Sequence, residues 1–480
     1  MRTYTSKIFV LGAAILASVG IASCGGGVTS ALDITADFTV PAEGLEKNLV
    51  VKSGTTVTIT LDGDLTVAGH HAIEVEQGAT VTIKGIGTVE AIGGGFAPLY
   101  NNGTVTIDGG TFYKNESKGH YYAIQNDRDM VINNATVTMD AGEFGGSITS
   151  SLIENGGAAD GVRNLTINGG TFTGGVDNVK NDAEGVLTVN GGNFTNTINQ
   201  TIYNMNVATI NGGTFNVPSV PDDGQHINAA LHTSAPAPDS IGKGILIIKG
   251  GTYNAESLLT TDGVNGNNPI PQVKISGNGV YNVKYLVSPD YQHNADQFDD
   301  TEVTGGTFAS GVELPALPDG YFKYDVVDPS TKEPVSIVTD EEVAFDDAPI
   351  DYAMKVGDKY IMDLPELVVQ YGVFNNFDGG LDGTDGGSVK LDGNSVVATA
   401  AGHAAVTVTF NGKTKTYNFV IADTATDVPD VTPPVSTDEN TDIAAPNTGA
   451  EATSVLTVIA GCVVAILAAA YSAKYAARVS

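Results

Sequence analysis

The densest cluster of residues able to transfer protons lies between residues 118 and 129. It contains His120, Asp127, Arg128 and Asp129. Two carboxylates beside a histidine and an arginine can act as general acid and base on a bound substrate. The same residue types are also common in a turn that carries solvated charge between two strands. We favour the solvated turn and keep the four residues as weak catalytic candidates.

Metal-binding chemistry has little support in the sequence. The histidines at 70, 71, 226 and 232 lack nearby cysteines or regularly spaced carboxylates. A glycine-rich stretch contains Asp378, Asp382 and Asp385, whose oxygens are suitable calcium ligands. It lacks the spacing and the closing glutamate of an EF-hand, which favours a solvated loop. We therefore expect no cofactor, with calcium as the one metal ion to consider.

The charge balance excludes several classes of partner. The 480 residues include 23 Lys and Arg against 55 Asp and Glu, a formal net charge of −32. The electrostatic field of so negative a protein repels nucleic acid and anionic lipid surfaces. Hydrophobic residues make up 41% of the chain and charged residues only 16%, so the composition is that of a folded protein. The 59 glycines indicate many turns in an all-β protein.

The elements that must position any site come from a repeat. Six segments carry nearly the same phrase, typified by Ile167-Asn-Gly-Gly-Thr-Phe172, and they lie at residues 105–112, 165–172, 187–194, 208–215, 246–253 and 302–308. Weaker copies surround Gly63, Gly85, Asn134 and Gly277. Most steps between copies are 21 to 25 residues, with some longer insertions. A constant period of this length is typical of a solenoid.

The pattern inside each repeat predicts strands. Apolar and polar residues alternate in 165–168, which is the period of a strand with one buried face. A second short strand precedes several copies and ends in asparagine. Stacked coils should therefore form two ladders, one of aromatic rings and one of amides. The aromatic ladder would contain Phe112, Phe172, Phe194, Phe215, Tyr253 and Phe308, and the amide ladder Asn126, Asn155, Asn181 and Asn204.

This pattern resembles the right-handed parallel β-helix (pectate-lyase-like) surface proteins of bacteria, over residues 45–312. Proteins with that fold include lyases, hydrolases and inert adhesins, so the resemblance implies an architecture rather than an activity. Residues 313–344 are interpreted as a cap or transition that covers the end of the β-helix.

Residues 345–422 have a different pattern of short strands and turns. They resemble a group-2 bacterial immunoglobulin-like module, through the Val-Gly-Asp sequence that ends at Asp358 and the Ala-Gly-x-Ala-x-Val-Thr-Val sequence that begins at Ala401. Residues 423–444 are rich in Pro, Thr and Asp and are predicted to form an extended stalk.

Both ends of the chain carry targeting signals, one for export and one for attachment to the cell surface. Arg2, Lys7 and an apolar run indicate a signal peptide over residues 1–24. Cys24 ends a sequence that resembles a bacterial lipobox, in which the thiol is acylated; ordinary cleavage near residue 22 is the alternative. Residues 445–480 resemble a sortase sorting signal with a transmembrane segment. Its motif consists of Ala445, Pro446, Asn447, Thr448 and Gly449, with alanine where that family has leucine.

Taken together, the sequence predicts an all-β protein: a right-handed parallel β-helix followed by a small immunoglobulin-like β-sandwich, an N-terminal signal peptide and a C-terminal transmembrane helix. The resemblance implies attachment to the cell wall by a sortase-type transpeptidase, with the membrane helix as anchor of the precursor. We expect an extracellular, non-catalytic binding or adhesion protein for glycans or for a host or partner cell surface. The alternative is a polysaccharide lyase or glycoside hydrolase on the same scaffold.

Overall fold

A computed structural model describes residues 31–140, 150–157, 161–218, 229–235, 242–261, 270–289, 294–383, 386 and 388–423. Within this part, residues 32–309 form a parallel β-solenoid, as the repeat predicts. Each coil contributes one strand in turn to three sheets, here named A, B and C. Equivalent strands of successive coils pair in parallel and in register.

The sheets differ in strand length. Sheet A consists mainly of three-residue strands: Leu32–Ile34, Leu49–Val51, Ile73–Val75, Leu99–Asn101, Ile124–Asn126, Ile153–Asn155, Val179–Asn181, Ile202–Asn204, Ala229–Thr233, Ser257–Thr261 and Tyr285–Val287. Sheet B contains Phe38–Val40, Thr56–Leu61, Thr80–Gly85, Thr104–Ile107, Asp129–Ile132, Arg163–Ile167, Gly185–Val189, Val207–Ile210, Ile245–Ile248, Gln272–Ile275 and Thr301–Val303. Sheet C contains Leu65–Ala68, Thr88–Ile92, Thr111–Asn115, Thr136–Asp140, Thr171–Thr173, Asn193–Thr195, Thr214–Asn216, Thr252–Asn254, Val280–Asn282 and Gly306–Ala309.

The Asn-Gly-Gly turn between sheets B and C explains the repeated phrase. Asn190 donates its side-chain amide to the Oδ1 atom of Asn168 one coil earlier, at 2.8 Å. A Cβ atom on Gly191 would lie 2.7 Å from the carbonyl oxygen of Asn168, so no larger residue fits. Gly192 has φ +109°, a conformation that only glycine adopts readily. Geometry therefore explains why an asparagine and two glycines recur at this turn.

A buried amide ladder closes the corner between sheets A and B. It occupies the last position of five consecutive strands of sheet A, and it extends the four predicted residues by one, to Asn101, Asn126, Asn155, Asn181 and Asn204. The Nδ2 atoms of the first four donate to the Oδ1 atom of the next asparagine at 2.7–2.8 Å, and Asn204 donates to the hydroxyl of Thr233 at 3.3 Å. All five side chains are fully buried. The predicted amide ladder is thus confirmed.

The aromatic ladder is confirmed with one correction. Five successive pairs of rings stack with centroids 4.6–5.2 Å apart, in the order Phe172, Phe194, Phe215, Tyr253, Tyr281 and Phe308. Phe112 was predicted to belong to this stack. In the structure Val137 lies between Phe112 and Phe172 in the register of sheet C, so Phe112 packs in the core outside the stack. Tyr281 takes a place that the sequence analysis did not assign.

A hairpin extends sheet C beyond the last coil. Its strand Pro334–Thr339 pairs antiparallel with Gly306–Ala309, and Phe322–Val327 pairs with its other edge. Val338 belongs to the core of the β-solenoid, whereas Tyr324 and Ile337 belong to a second core. The hairpin therefore contributes to both cores.

Most of the second core lies in residues 345–422. Sheet D has the strand order Ile350–Lys355, Lys413–Ala422, Gly402–Phe410 and Val373–Asp378, and sheet E the order Lys359–Ile361, Ser395–Ala398 and Val389–Asp392. The described residues include two short helices, α1 (Asn294–Asp299) and α2 (Glu366–Tyr371), and a 3₁₀ turn at Glu116–Lys118. Within the described residues, no helix has the length and apolar character needed to cross a bilayer. The signal peptide, Cys24, the stalk and the sorting signal lie outside the described residues.

The buried amide ladder and the exposed asparagines Asn133, Asn168 and Asn190 of the turns between sheets B and C allow a matched test of buried hydrogen bonding. Substitution Asn155→Ala removes one partner each from the side chains of Asn126 and Asn181 in a fully buried corner. We expect it to lower the free energy of unfolding by about 2–5 kcal/mol, because each buried orphan group costs about 1–3 kcal/mol. Asn168→Ala breaks the same kind of bonds, to Asn133 and Asn190, at an exposed position. Water can replace those bonds, so the free energy of unfolding should fall by less than about 1 kcal/mol.

Urea denaturation of both variants measures their free energies of unfolding. Equal losses in the two variants would contradict the role of burial.

Candidate functional site

The connections between strands indicate where a site can be built. Sheets B and C are joined by three-residue turns at 168–170, 190–192, 211–213 and 249–251. The connections that precede or follow a strand of sheet A vary far more, from two residues at 102–103 and 205–206 to eleven at 234–244 and twelve at 141–152. The connections between sheets B and C stay within two to four residues in the described coils. The long insertions therefore lie next to sheet A, which makes its outer face the candidate site.

Outward-facing side chains form a continuous line on that face. The first and last residues of each short strand point into the core, so the middle residue points outward. In register these middle residues are Glu74, Tyr100, Gln125, Glu154, Lys180, Tyr203 and His232, here named the sheet A row. The four steps from Tyr100 to Tyr203 span about 19 Å at the usual strand spacing of about 4.8 Å.

Aromatic rings cluster at one end of the row. The imidazole of His71 stacks on the ring of Tyr100, with centroids 4.8 Å apart and planes inclined by 19°. The ring of Phe96 meets His71 edge-on at 5.8 Å. The backbone N–H of Ala97 donates to Nδ1 of His71 at 2.9 Å. Burial lowers the pKa of His71 to about 4. The ring is therefore neutral at physiological pH and carries its proton on Nε2.

Asp127 lies beside this aromatic cluster. Its side chain is buried and accepts hydrogen bonds from Tyr100 and from Nε2 of Gln125, the latter at 3.3 Å. The hydroxyl of Tyr121 donates to Oε1 of Gln125 at 2.5 Å. Burial raises the pKa of Asp127, although these hydrogen bonds and the charge of Arg163 oppose the shift. The result is a network of phenol, amide and carboxyl groups next to two stacked rings.

A second carboxylate occupies the next coil. Glu154 is buried, and burial raises its pKa against the opposing effects of Lys180 and Tyr122. Lys180 donates to Glu154 at 3.2 Å and to Asp182 at 3.0 Å. Burial disfavours the charge on Lys180, yet the two carboxylates together raise its pKa. The centre of the row is thus an ion-paired segment bordered by Tyr122.

The four predicted catalytic residues occupy different places. Asp127 lies on the sheet A face, whereas Asp129 begins a strand of sheet B, is exposed and accepts from Asn164 at 2.7 Å. Arg128 donates to Asn102 at 3.3 Å. His120 lies after the 3₁₀ turn, with Nδ1 3.1 Å from Oε2 of the buried Glu116. Only Asp127 contacts the sheet A row through the hydrogen bonds described above.

The predicted calcium ligands lie at an exposed surface of residues 345–422. Asp378 ends a strand of sheet D, and its Oδ2 atom is 3.4 Å from the hydroxyl of Ser388. Asp382 lines a cavity of about 500 Å³ together with Asp351 and His403. Asp385 lies outside the described residues. In the described part of the chain, no three His, Cys, Asp or Glu side chains are grouped closely enough to hold a metal ion.

Sequence reasoning missed most of this site. Tyr100, Glu154 and Lys180 are separated in sequence by 26 to 80 residues and share no motif. A signal was present, because each occupies the variable middle position of a strand that ends in asparagine. The same signal also identifies Tyr203, which packs against His232 with ring centroids 4.5 Å apart.

The comparisons with known proteins add no further constraint. No protein-family model, curated protein or solved structure matches this chain.

The neutral His71 makes stability depend on pH. The unfolded chain binds a proton at this residue near pH 6.5, whereas the folded protein binds it only near pH 4. Acidification through this window therefore favours the unfolded state, and stability is fully retained above it. We expect His71→Gln, which keeps an acceptor for Ala97, to lose less stability between pH 7 and pH 4.5 than the unmodified protein. Urea denaturation at the two pH values measures this, with the exposed His403→Gln as control. If the stability of all three proteins depended equally on pH, the lowered pKa assigned to His71 would be contradicted.

Proposed function

We propose that this protein is a non-catalytic, glycan-binding adhesion protein displayed outside the cell, and that it binds its ligand on the outer face of sheet A. The observation that carries the proposal is the His71–Tyr100 stack beside the network of Gln125 and Asp127. Aromatic faces pack against the apolar faces of sugar rings, and amide, phenol and carboxyl groups pair with their hydroxyls.

The extent of the row favours a chain-like ligand. Tyrosines 100 and 203 are separated by about 19 Å along the axis of the solenoid. Polar groups with several donors and acceptors lie between them on Gln125, Glu154 and Lys180. An oligosaccharide lying along the axis could meet one coil after another. The net charge of −32 disfavours polyanionic glycans, so we propose a neutral or amine-bearing chain.

Surface display is proposed from the sequence signals. The signal peptide at 1–24 would direct export, and the sorting motif at 445–449 with the apolar run after it would attach the chain to the cell wall through a sortase-type transpeptidase. We further propose that the β-solenoid is right-handed and that residues 345–422 form an immunoglobulin-like spacer. The two sheets around one apolar core in that region support the spacer.

A binding experiment on the full chain tests the site. The unmodified protein should bind a subset of neutral or amino-sugar oligosaccharides on a glycan array. Tyr100→Ala should weaken that binding at least tenfold, because it removes the ring that stacks on His71. Tyr113→Ala is the matched control, since Tyr113 is an outward-facing tyrosine of sheet C that donates to Asp140 at 2.8 Å. Absence of any bound glycan, or equal losses in both variants, would overturn the proposal.

One observation supports catalysis as a second candidate function. Asp127 and Glu154 lie on neighbouring coils of the same face, and burial raises the pKa of both carboxyl groups. Raised carboxyl pKa values suit a general acid in a glycoside hydrolase, and Lys180 beside Glu154 suits charge stabilisation in a lyase.

Product analysis separates the two functions. If the protein is an enzyme, incubation with a bound glycan should yield shorter chains, detected by mass spectrometry, and Glu154→Gln should abolish their formation while binding persists. If the glycan stays intact after prolonged incubation with the unmodified protein, the catalytic candidate fails and only the binding function is retained.

A further inference from the structure

Lys114 is the most unusual charged residue of the β-solenoid. It belongs to the strand Thr111–Asn115 of sheet C, and its side chain points inward and is fully buried. The equivalent residue in the next coil is the apolar Met139. Burial lowers the pKa of Lys114 to about 8, although the charges of Glu116 and Glu90 oppose the shift. A cation at this position is therefore costly compared with an apolar side chain.

The ammonium group of Lys114 is fully saturated by backbone carbonyls. Its Nζ atom donates to the carbonyl oxygens of Ala91, Gly93 and Phe96 at 3.0, 2.9 and 2.7 Å. A lysine has three N–H donors, so every donor is used. Gly93 and Phe96 belong to the connection 93–98, which leads from sheet C to the sheet A strand that begins at Leu99, and Ala91 lies in the strand Thr88–Ile92 just before it. Lys114 thus holds this connection from inside the core.

The connection held by Lys114 forms one wall of the aromatic cluster. Phe96, whose carbonyl accepts from Lys114, packs edge-on against His71. The next residue, Ala97, donates its N–H to His71, and His71 in turn stacks on Tyr100. A short series of direct contacts therefore joins the buried ammonium to the aromatic end of the sheet A row.

We propose that Lys114 is a positioning residue of the glycan site: by binding the carbonyls of Ala91, Gly93 and Phe96, where the chain passes from sheet C to sheet A, it fixes Phe96 and Ala97 and thereby the orientation of His71 and Tyr100. The inference rests on the proposed function of the sheet A face. It explains why this coil has a lysine where its neighbour has a methionine. An apolar side chain such as methionine would stabilise the core more at this position. A lysine is explained by its three N–H groups, which bind the carbonyls of Ala91, Gly93 and Phe96 beside the site.

Lys114→Met in the full chain tests this role with two measurements. Amide hydrogen exchange of the segment 93–98 should accelerate at least tenfold, because Gly93 and Phe96 lose their hydrogen bonds to Lys114 and Ala97 no longer stays against His71. Affinity for the glycan found on the array should fall at least tenfold. Lys114→Gln, which keeps a shorter donor, should give intermediate values, and it provides the test if the methionine variant does not fold.

Met139→Ala is the matched control. It removes a buried side chain at the equivalent position of the next coil and destabilises the core without breaking a bond to the connection. It should leave exchange at 93–98 and glycan affinity within about twofold of the unmodified protein. Unchanged exchange and affinity in both Lys114 variants, or equal effects of Met139→Ala, would overturn the proposal. If the unmodified protein binds no glycan, the proposed function fails, while the exchange measurement still decides whether Lys114 holds the connection.

Discussion

The in-register parallel pairing of successive coils is the interaction on which the rest of the structure depends. Backbone ladders alone permit slippage by two residues without exposing the apolar face. The buried amide ladder opposes such slippage in the five coils that contain it, because each asparagine meets the asparagine of the neighbouring coil in a fully buried corner. In these coils the ladder therefore fixes the alignment of the sheet A row from Tyr100 to Tyr203.

The same constraint divides the molecule into fixed and variable sides. At the turn between sheets B and C, a glycine such as Gly191 lies so close to the preceding coil that no side chain fits, and the connections there stay short. Sheet A has no equivalent restriction at its two edges, and the longer connections gather there. A solenoid of this kind can change its binding surface without disturbing its core, because the variable side chains point away from the positions that hold the coils together.

Buried charge also occurs on the variable side of the solenoid, near sheet A. The core is apolar along most of its length, and three of its buried ionisable groups, Asp127, Glu154 and Lys114, lie at or behind the sheet A face. Each of the three is desolvated, and each has hydrogen-bond partners that offset part of that cost. Groups of this kind contribute little to folding that an apolar residue could not provide. The presence of three such groups near one face therefore supports the assignment of function to that face.

The sequence by itself determined the solenoid, because period, alternation and the Asn-Gly-Gly phrase are local consequences of backbone geometry that repeat in every coil. It also determined both ladders, since identical positions must stack when coils are in register. Phe112 was misassigned because the prediction of the stack passed over the weaker copy around Asn134, whose Val137 occupies the aromatic position between Phe112 and Phe172. The site was decided only by the tertiary structure. Tyr100, Glu154 and Lys180 are distant in sequence and become neighbours through coil stacking, and the role of Lys114 depends on carbonyls from another coil that no local pattern encodes.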